Sequence, residues 1–249
     1  MSVGEAKGWS PLRWVLDFVY PPACFACGAP LEGDEILCAA CEAQLQPLAS
    51  ENSLKELWIA RQKTLSVFVD DVLVGFLFEP VIQKLIHGLK YEGRRNVGRF
   101  LGEKLARQFA LRMPTFRLDW IVPVPLHRKK QRLRGYNQST VLARVLSKKW
   151  GIPLTEKMIR RVRNTPTNTG LTAAERLENM KDGFVLLPGQ TVANQTILLV
   201  DDVITTGSTV NACAKPLKAA GASRVLALSV AHPALEHTGG IPTKDLHLG

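Results

Sequence analysis

An α/β fold is what this sequence predicts: a parallel sheet flanked by helices, preceded by a small four-cysteine module. Three observations predict it. Through the second half of the 249 residues, apolar segments of strand length alternate with helical segments, the pattern of βαβ units in a parallel sheet. One of those strands, 196–201, runs through two adjacent acids into a hydroxyl-rich turn that opens a helix. Four of the five cysteines stand as Cys24-x2-Cys27-x10-Cys38-x2-Cys41.

The elements follow in order. Trp9, Trp14, Val15, Leu16, Phe18 and Val19 form an apolar stretch interrupted by Asp17, with no small-residue cleavage site before Pro21-Pro22. A short amphipathic helix is expected there rather than a signal peptide. No apolar run approaches roughly 18 residues, so no membrane span is expected and the cytoplasm is the expected compartment. Residues 1–48 are read as this helix plus the cysteine module, 49–235 as the main domain and 236–249 as a flexible tail.

Each Cys-x2-Cys turn points two thiolates at one centre, and two such turns complete the tetrahedral shell that zinc prefers. Gly28 follows the second ligand, where such a turn often needs a positive φ. With Cys24, Cys27, Cys38 and Cys41 all bound, no position remains for water, which makes the zinc structural. The alternatives are two disulfides, four unconnected core cysteines, or iron in a rubredoxin-like site. Disulfides are disfavoured without a secretory signal. Cys213 stands alone on an expected helix and reads as a packing residue.

Residues 50–63 have a helical amphipathic pattern, and 65–78 are rich in β-branched and aromatic residues, as in one or two strands. Residues 81–111 carry apolar groups at helical spacing interrupted by Gly88, Gly93 and Gly98, which predicts two helices rather than one. A short strand over 119–125, a helix over 137–150, strand 196–201, helix 207–220 with Gly221 as its stop, and strand 225–230 complete the pattern.

The formal charge of +10 is unevenly placed. Between His127 and Asn164 stand twelve Lys/Arg and a single acid, Glu156, a local net of +11; the remainder sums to −1. Affinity for polyanions therefore belongs to this middle region. A solvated basic face is the alternative for its lysines.

The strand–turn–helix beginning at Ile197 carries the chemistry. Past Asp201 and Asp202 come Val203-Ile204-Thr205-Thr206-Gly207-Ser208-Thr209. Backbone N–H groups at a helix N-terminus are unpaired and partially positive, a ready phosphate cradle. Thr205, Thr206, Ser208 and Thr209 add hydroxyl donors. Gly207 lets the backbone close on the anion. The acids repel the same phosphate, so they serve hydroxyl groups or a cation: a ribose diol, or magnesium through its water shell. Together these describe a sugar phosphate. An ordinary helix-capping turn would need neither paired acids nor four hydroxyls.

This segment resembles the phosphoribosyl pyrophosphate motif of the type I phosphoribosyltransferases, an apolar strand followed by Asp-Asp and Thr-Thr-Gly-Ser-Thr. With the cysteine ribbon ahead of it, the chain resembles the ComF/GntX family, bacterial proteins linked to competence and DNA uptake. Segments 18–28, Leu85-Ile86-His87-Gly88-Leu89-Lys90-Tyr91, Pro123-Val124-Pro125, Arg134-Gly135-Tyr136-Asn137-Gln138 and 165–179 carry the resemblance, to about residue 233. Asn168 departs from it, standing where the family more often places Gln. The resemblance implies a type I phosphoribosyltransferase-like sheet with a hood over about 50–118 and a pyrophosphate loop over 127–137. In that loop Arg128, Arg134 and Gly135 would act, Arg as a bidentate fork on phosphate.

It also implies a lid that excludes water, with Arg163, Thr165 and Arg176 in it. In the implied reaction, phosphoribosyl passes to an unspecified acceptor. Magnesium and Arg134 would stabilise the departing pyrophosphate, the 203–209 turn would anchor the terminal phosphate, and Asp201 and Asp202 would hold the diol. His87 and His127 are acid–base candidates without sequence specificity. The competing reading is a sensor of phosphoribosyl pyrophosphate or a nucleotide whose basic stretches contact single-stranded DNA or a DNA-uptake helicase. Few aromatics (Tyr136, Trp150) accompany those stretches. Acceptor and oligomeric state are not legible.

Overall fold

Thr196–Val203 is buried at every position but the last, as a strand covered on both faces must be. In the computed structural model, which describes residues 22–48, 67–162 and 183–233, it is β5 of a series comprising β1 (Asp71–Leu77), β2 (Trp120–Pro123), β3 (Ile159–Arg161), β4 (Phe184–Leu186), β5 and β6 (Arg224–His232). The order β1-β6-β5-β2 makes one four-stranded sheet, parallel throughout. The helices are α1 (Ala39–Glu42), α2 (Pro80–Tyr91), α3 (Arg95–Gln108), α4 (Met113–Phe116), α5 (Arg128–Arg134), α6 (Gln138–Trp150) and α7 (Ser208–Ala219).

Alternation along the strands sorts side chains into two cores. Leu198, Val200, Leu226 and Leu228 face α2, α3 and α6. Ile197, Leu199, Val225 and Ala227 face Val210, Cys213, Ala214 and Leu217 of α7, together with Met158, Ile159 and Phe184. Cys213 is wholly buried there, the packing residue expected.

The two-helix expectation for 81–111 holds, with the break at Gly93 (φ +68°). Gly88 and Gly98 instead lie inside helices. A Cβ on Gly88 would come within 2.2 Å of the Phe25 ring, so that glycine admits the cysteine module to the helix surface. Of the expected hood, 71–77 form β1 of the sheet, and α2 and α3 are its covering layer. The pyrophosphate loop contains α5, a short helix that its polar, basic sequence conceals. The antiparallel pair β3–β4 was not anticipated; strands of three residues are too short to show a period. The expected N-terminal helix, the helix over 50–63, the lid residues Arg163, Thr165 and Arg176, Asn168 and the tail lie outside the described residues.

The cysteine module joins this core directly. Cys24, Ala26, Leu37, Cys41 and Leu45 share a cluster with Val81, Ile82 and Leu85 of α2. Lys84 Nζ donates to Ala26 O at 2.6 Å, and Glu42 pairs with Lys104 of α3. Residues 46–48 pair with the exposed edge of β1, Leu77 N donating to Gln46 O and Leu48 N to Gly75 O, which covers an otherwise open sheet edge. Among the described residues no helix is long and apolar enough to cross a membrane.

Candidate functional site

The site lies beyond the carboxyl ends of β2 and β5, the usual place for ligands in parallel α/β sheets. β5 ends at Val203, and Ile204 N is still tied to Ala231 O of β6 at 3.1 Å. The chain then turns through Thr205 and Thr206, both exposed, to Gly207 (φ +71°), the N-cap of α7. A side chain at that φ would be strained, which is why glycine stands there. Asn211 N to Gly207 O, 2.9 Å, is the first intrahelical bond, so the amides of Ser208, Thr209 and Val210 precede it and face the turn. Thr206 Oγ1 and Ser208 Oγ are 2.8 Å apart. Of the predicted residues 203–209, Thr205–Thr209 thus bring hydroxyls to the amide end of α7, whereas the amides of Val203 and Ile204 are spent on Asp202 Oδ1 and Ala231 O.

Asp201 and Asp202 are both buried. Asp201 Oδ1 accepts from Ser139 Oγ at 3.0 Å and from Asp202 N at 2.9 Å. Ser139 is held by its neighbour: Asn137 caps α6 through Ser139 N (3.1 Å) and donates Nδ2 to Val124 O (2.9 Å). Asp202 Oδ1 accepts from Val203 N at 2.8 Å. Lys90 Nζ, at the end of α2, sits 3.1 Å from Asp202 Oδ2, an ion-pair approach outside hydrogen-bond geometry, since no donor completes that oxygen among the described residues.

Burial, then the adjacent Asp202 charge, raise the Asp201 carboxyl to about 7, against the Asp202 amide, Lys90 and Ser139, which lower it. A folded value above the unfolded one stabilises the fold at low pH, and that stability is lost as pH rises through the folded value. The unligated protein therefore loses stability between about pH 4 and pH 7 through this group. Asp201→Asn removes that dependence. In thermal melts at pH 5 and pH 8, the wild-type difference should exceed that of the variant by roughly 5–10 °C. Equal differences in both proteins would show that Asp201 is ionised throughout.

Cations surround the acids. Arg161 on β3 is within electrostatic reach of Asp201 and Cys213. Burial and then Arg161, Arg134 and Lys90 push the Lys130 ammonium below its usual range, so these four charges converge. Arg134 is half-buried, donating Nη1 to Gln138 Oε1 at 3.2 Å with its guanidinium 4.9 Å from the Tyr91 ring centroid. Gly135 (φ +75°) ends α5. Arg128 is exposed at the start of α5. His127 caps α5, accepting from Lys129 N, while burial, followed by Arg161 and the α5 cations, holds its imidazole below the ordinary value. His87 pairs with Glu92 at 3.1 Å on the surface. Sequence reasoning placed the acids, the turn and Arg134 together and passed over Lys90, Ser139 and Arg161. The one available signal was Lys90 in the segment 85–91, a lysine amid apolar residues.

In the cysteine module the four sulfurs lie within 4.8 Å of one another, and Cys27 and Cys38 Sγ are 3.7 Å apart. A tetrahedron with zinc–sulfur bonds of 2.3 Å has edges of about 3.8 Å, so the group fits zinc. Gly28 has the expected positive φ, +77°, and its amide donates to Cys24 O at 2.8 Å. Around Cys24 burial alone would raise the thiol, but amides of Cys38, Cys27 and Ala26 prevail and bring it to about 6. Such N–H groups orient and stabilise a bound thiolate. The cysteines form a structural zinc ribbon.

Comparison with known proteins agrees with this architecture. Residues 15–53 match the family described as double zinc ribbon domain, and 136–237 match the phosphoribosyl transferase domain. With the parallel sheet and its flanking helices, the latter match places the main domain in the type I phosphoribosyltransferase fold. Competence protein F of Haemophilus influenzae is 35% identical over 162 residues, covering 62% of this chain and 69% of that protein. DNA utilization protein YhgH of Escherichia coli K12 is 35% identical over 156 residues, covering 59% and 66% respectively. A solved purine phosphoribosyltransferase from Pyrococcus horikoshii aligns at a TM-score of 0.36 and 17% identity, covering 53% of this chain and 73% of that one. Joining a zinc ribbon to a phosphoribosyl transferase domain, and aligned with more than two thirds of Competence protein F, the chain belongs to the ComF family.

Proposed function

We propose that this chain binds phosphoribosyl pyrophosphate and transfers its phosphoribosyl group, in a magnesium-dependent reaction, to an acceptor in the service of DNA uptake or use. One observation carries the reading: two buried carboxylates end β5 immediately before the open amide end of α7. The cradle of 205–209 suits the terminal phosphate, where amide dipoles and hydroxyls meet negative charge. Asp201 and Asp202 suit the ribose diol. The Lys90 ammonium 3.1 Å from Asp202 supports the diol role over a cation site on that oxygen, because like charges repel. Magnesium is then held by oxygens of the ligand and supplies charge neutralisation on the departing pyrophosphate. Arg134, Lys130 and Gly135 line the approach from α5, where cations suit pyrophosphate. As the anomeric bond breaks, positive charge on the ribose is stabilised by the two acids beneath it.

The test is release of inorganic pyrophosphate. Incubated with magnesium and phosphoribosyl pyrophosphate, the protein should release it faster than the Asp202→Ala variant, and an acceptor should accelerate the release further. Tight binding without turnover across nucleobase and amine acceptors would eliminate the transferase.

A specific feature favours the second, non-catalytic reading. Between α3 and α6 runs a groove of about 700 Å³ lined by Arg95, Arg99, Arg144, Lys148 and Lys149, with Tyr136 at one end. Glu103 and Glu156 also line it, Glu156 pairing with Arg144 at 2.7 Å, and the five cations still outnumber the acids, which suits a polyanion such as single-stranded nucleic acid. DNA affinity that falls steeply with salt, and survives Asp202→Ala but not reversal of Lys148 and Lys149 to Glu, supports it.

A further inference from the structure

Lys90 stands in the last turn of α2, with its side chain 13% exposed and its ammonium turned inward to Asp202, itself 6% exposed. Lysines in amphipathic helices ordinarily carry their charge out to water. Desolvating both partners of such a pair costs as much as their attraction returns, so stability is a weak reason for it. The surroundings hold the lysine where it is: the Tyr136 hydroxyl donates to the carbonyl of Leu89, tying the end of α2 to the segment before α6.

The two oxygens of Asp202 are treated differently. Oδ1 accepts from Val203 N at 2.8 Å. Oδ2 is fully buried, lies 3.1 Å from the ammonium, and has no hydrogen-bond donor among the described residues. One oxygen fixes the rotamer, and the other is charge-balanced with a lone pair unspent.

We propose that Lys90 is a positioning residue that holds Asp202 turned so that Oδ2 accepts a ribose hydroxyl. This rests on the phosphoribosyl pyrophosphate reading. Other charges stand around the pair: Asp201 from β5 acts on both partners and Lys130 from α5 on Lys90, while Arg134 acts on Lys130 and Arg161 of β3 on Lys130 and Asp201. Lys130 and Arg134 stand on α5, to which the proposed reading gives the pyrophosphate, and Arg161 lies over the Phe184 ring, whereas Lys90 lies against Asp202, which that reading gives to the diol. Its removal should therefore alter recognition of hydroxyls and spare recognition of pyrophosphate.

Calorimetric titration with ribose 5-phosphate and its 2-deoxy and 3-deoxy analogues tests this on the full chain, with inorganic pyrophosphate titrated in parallel. The wild type should prefer ribose 5-phosphate to at least one analogue by about tenfold, the worth of a bond to a charged acceptor. In Lys90→Met the preference should shrink to within about twofold, and Lys90→Arg should restore it, while pyrophosphate affinity stays within about twofold. In an Asp202→Asn background, Lys90→Met should cause no further loss; this pair also leaves no buried charge unmatched, should the single variant fold poorly. Full hydroxyl preference in Lys90→Met overturns the role. So does equal loss toward every ligand, pyrophosphate included, which would make Lys90 a phosphate contact or a scaffold. A wild type that binds ribose 5-phosphate with no hydroxyl preference, or not at all, overturns the underlying reading as well.

Discussion

If the proposed function holds, replacing Asp201 and Asp202 together by alanine should abolish the heat of binding of magnesium phosphoribosyl pyrophosphate while leaving the chain folded. Each carboxylate accepts bonds in a buried setting, and a hydrogen bond to a charged group contributes about 1.5–3 kcal/mol. Losing both costs affinity on the order of 10²–10⁴-fold, enough to carry binding out of calorimetric range. The same change removes the burial and like-charge cost that raises the Asp201 carboxyl to about 7, and it also takes from the buried Lys90 ammonium its Asp202 partner. The gain from losing the buried Asp201 charge and the cost of the unpaired Lys90 oppose each other, so the variant should keep a single cooperative melt at pH 8. Lost binding with a retained cooperative melt is informative, because an unfolded protein loses both. A double variant that binds as tightly as the wild type removes the acids from the ligand site.

Stripping the zinc is expected to have the second large effect. Cys24 and Cys41 are buried, and with Ala26, Leu37 and Leu45 they sit in the same apolar cluster as α2. A ribbon of this size has no core of its own and relies on the metal to close it; zinc binding contributes about 10–16 kcal/mol in small finger peptides. Here part of that is replaced by packing, so the expected fall in Tm on chelation or in Cys41→Ser is on the order of 10 °C. Metal analysis should return one zinc per chain in the wild type and none in Cys41→Ser. Cys213→Ser is the control: it lies in the other core, against Val210 and Leu217, and should leave the zinc content unchanged. A Cys41→Ser protein with full zinc and an unchanged melt would show that the four thiols do not close around one ion.

The reach of the ribbon extends further than its own fold. Phe25 fills the space over Gly88 and Lys84 bonds to Ala26, so one face of α2 carries the ribbon while its last turn carries Lys90. The ribbon contacts and Lys90 thus share one helix, Pro80–Tyr91.

Some of this was legible because it is written locally. Cys-x2-Cys turns, the acids at the end of an apolar strand, and Thr-Thr-Gly-Ser-Thr at a helix start each lie within a few consecutive residues, and their chemistry follows from spacing alone. The helix expected over 137–150 was likewise legible; the structure gives Gln138–Trp150, with Asn137 as its cap and Gly151 as its stop. Short elements escaped. β3 and β4 have three residues each, less than two periods of alternation, and α5 has a basic sequence with Leu133 as its one large apolar residue, 89% exposed.

By itself, then, the sequence determined the two modules, the parallel α/β class, the metal ligands and the strand–turn–helix that would take a sugar phosphate. Only tertiary structure decided which distant side chains complete that turn. Ser139 is 62 positions from Asp201, and Lys90 meets Asp202 from another layer of the fold. Local pattern cannot reveal such partners, because packing sets the direction in which a lysine on an amphipathic helix points. A buried charge is recognised as purposeful only when its counter-charge and the unfilled oxygen beside it are both in view.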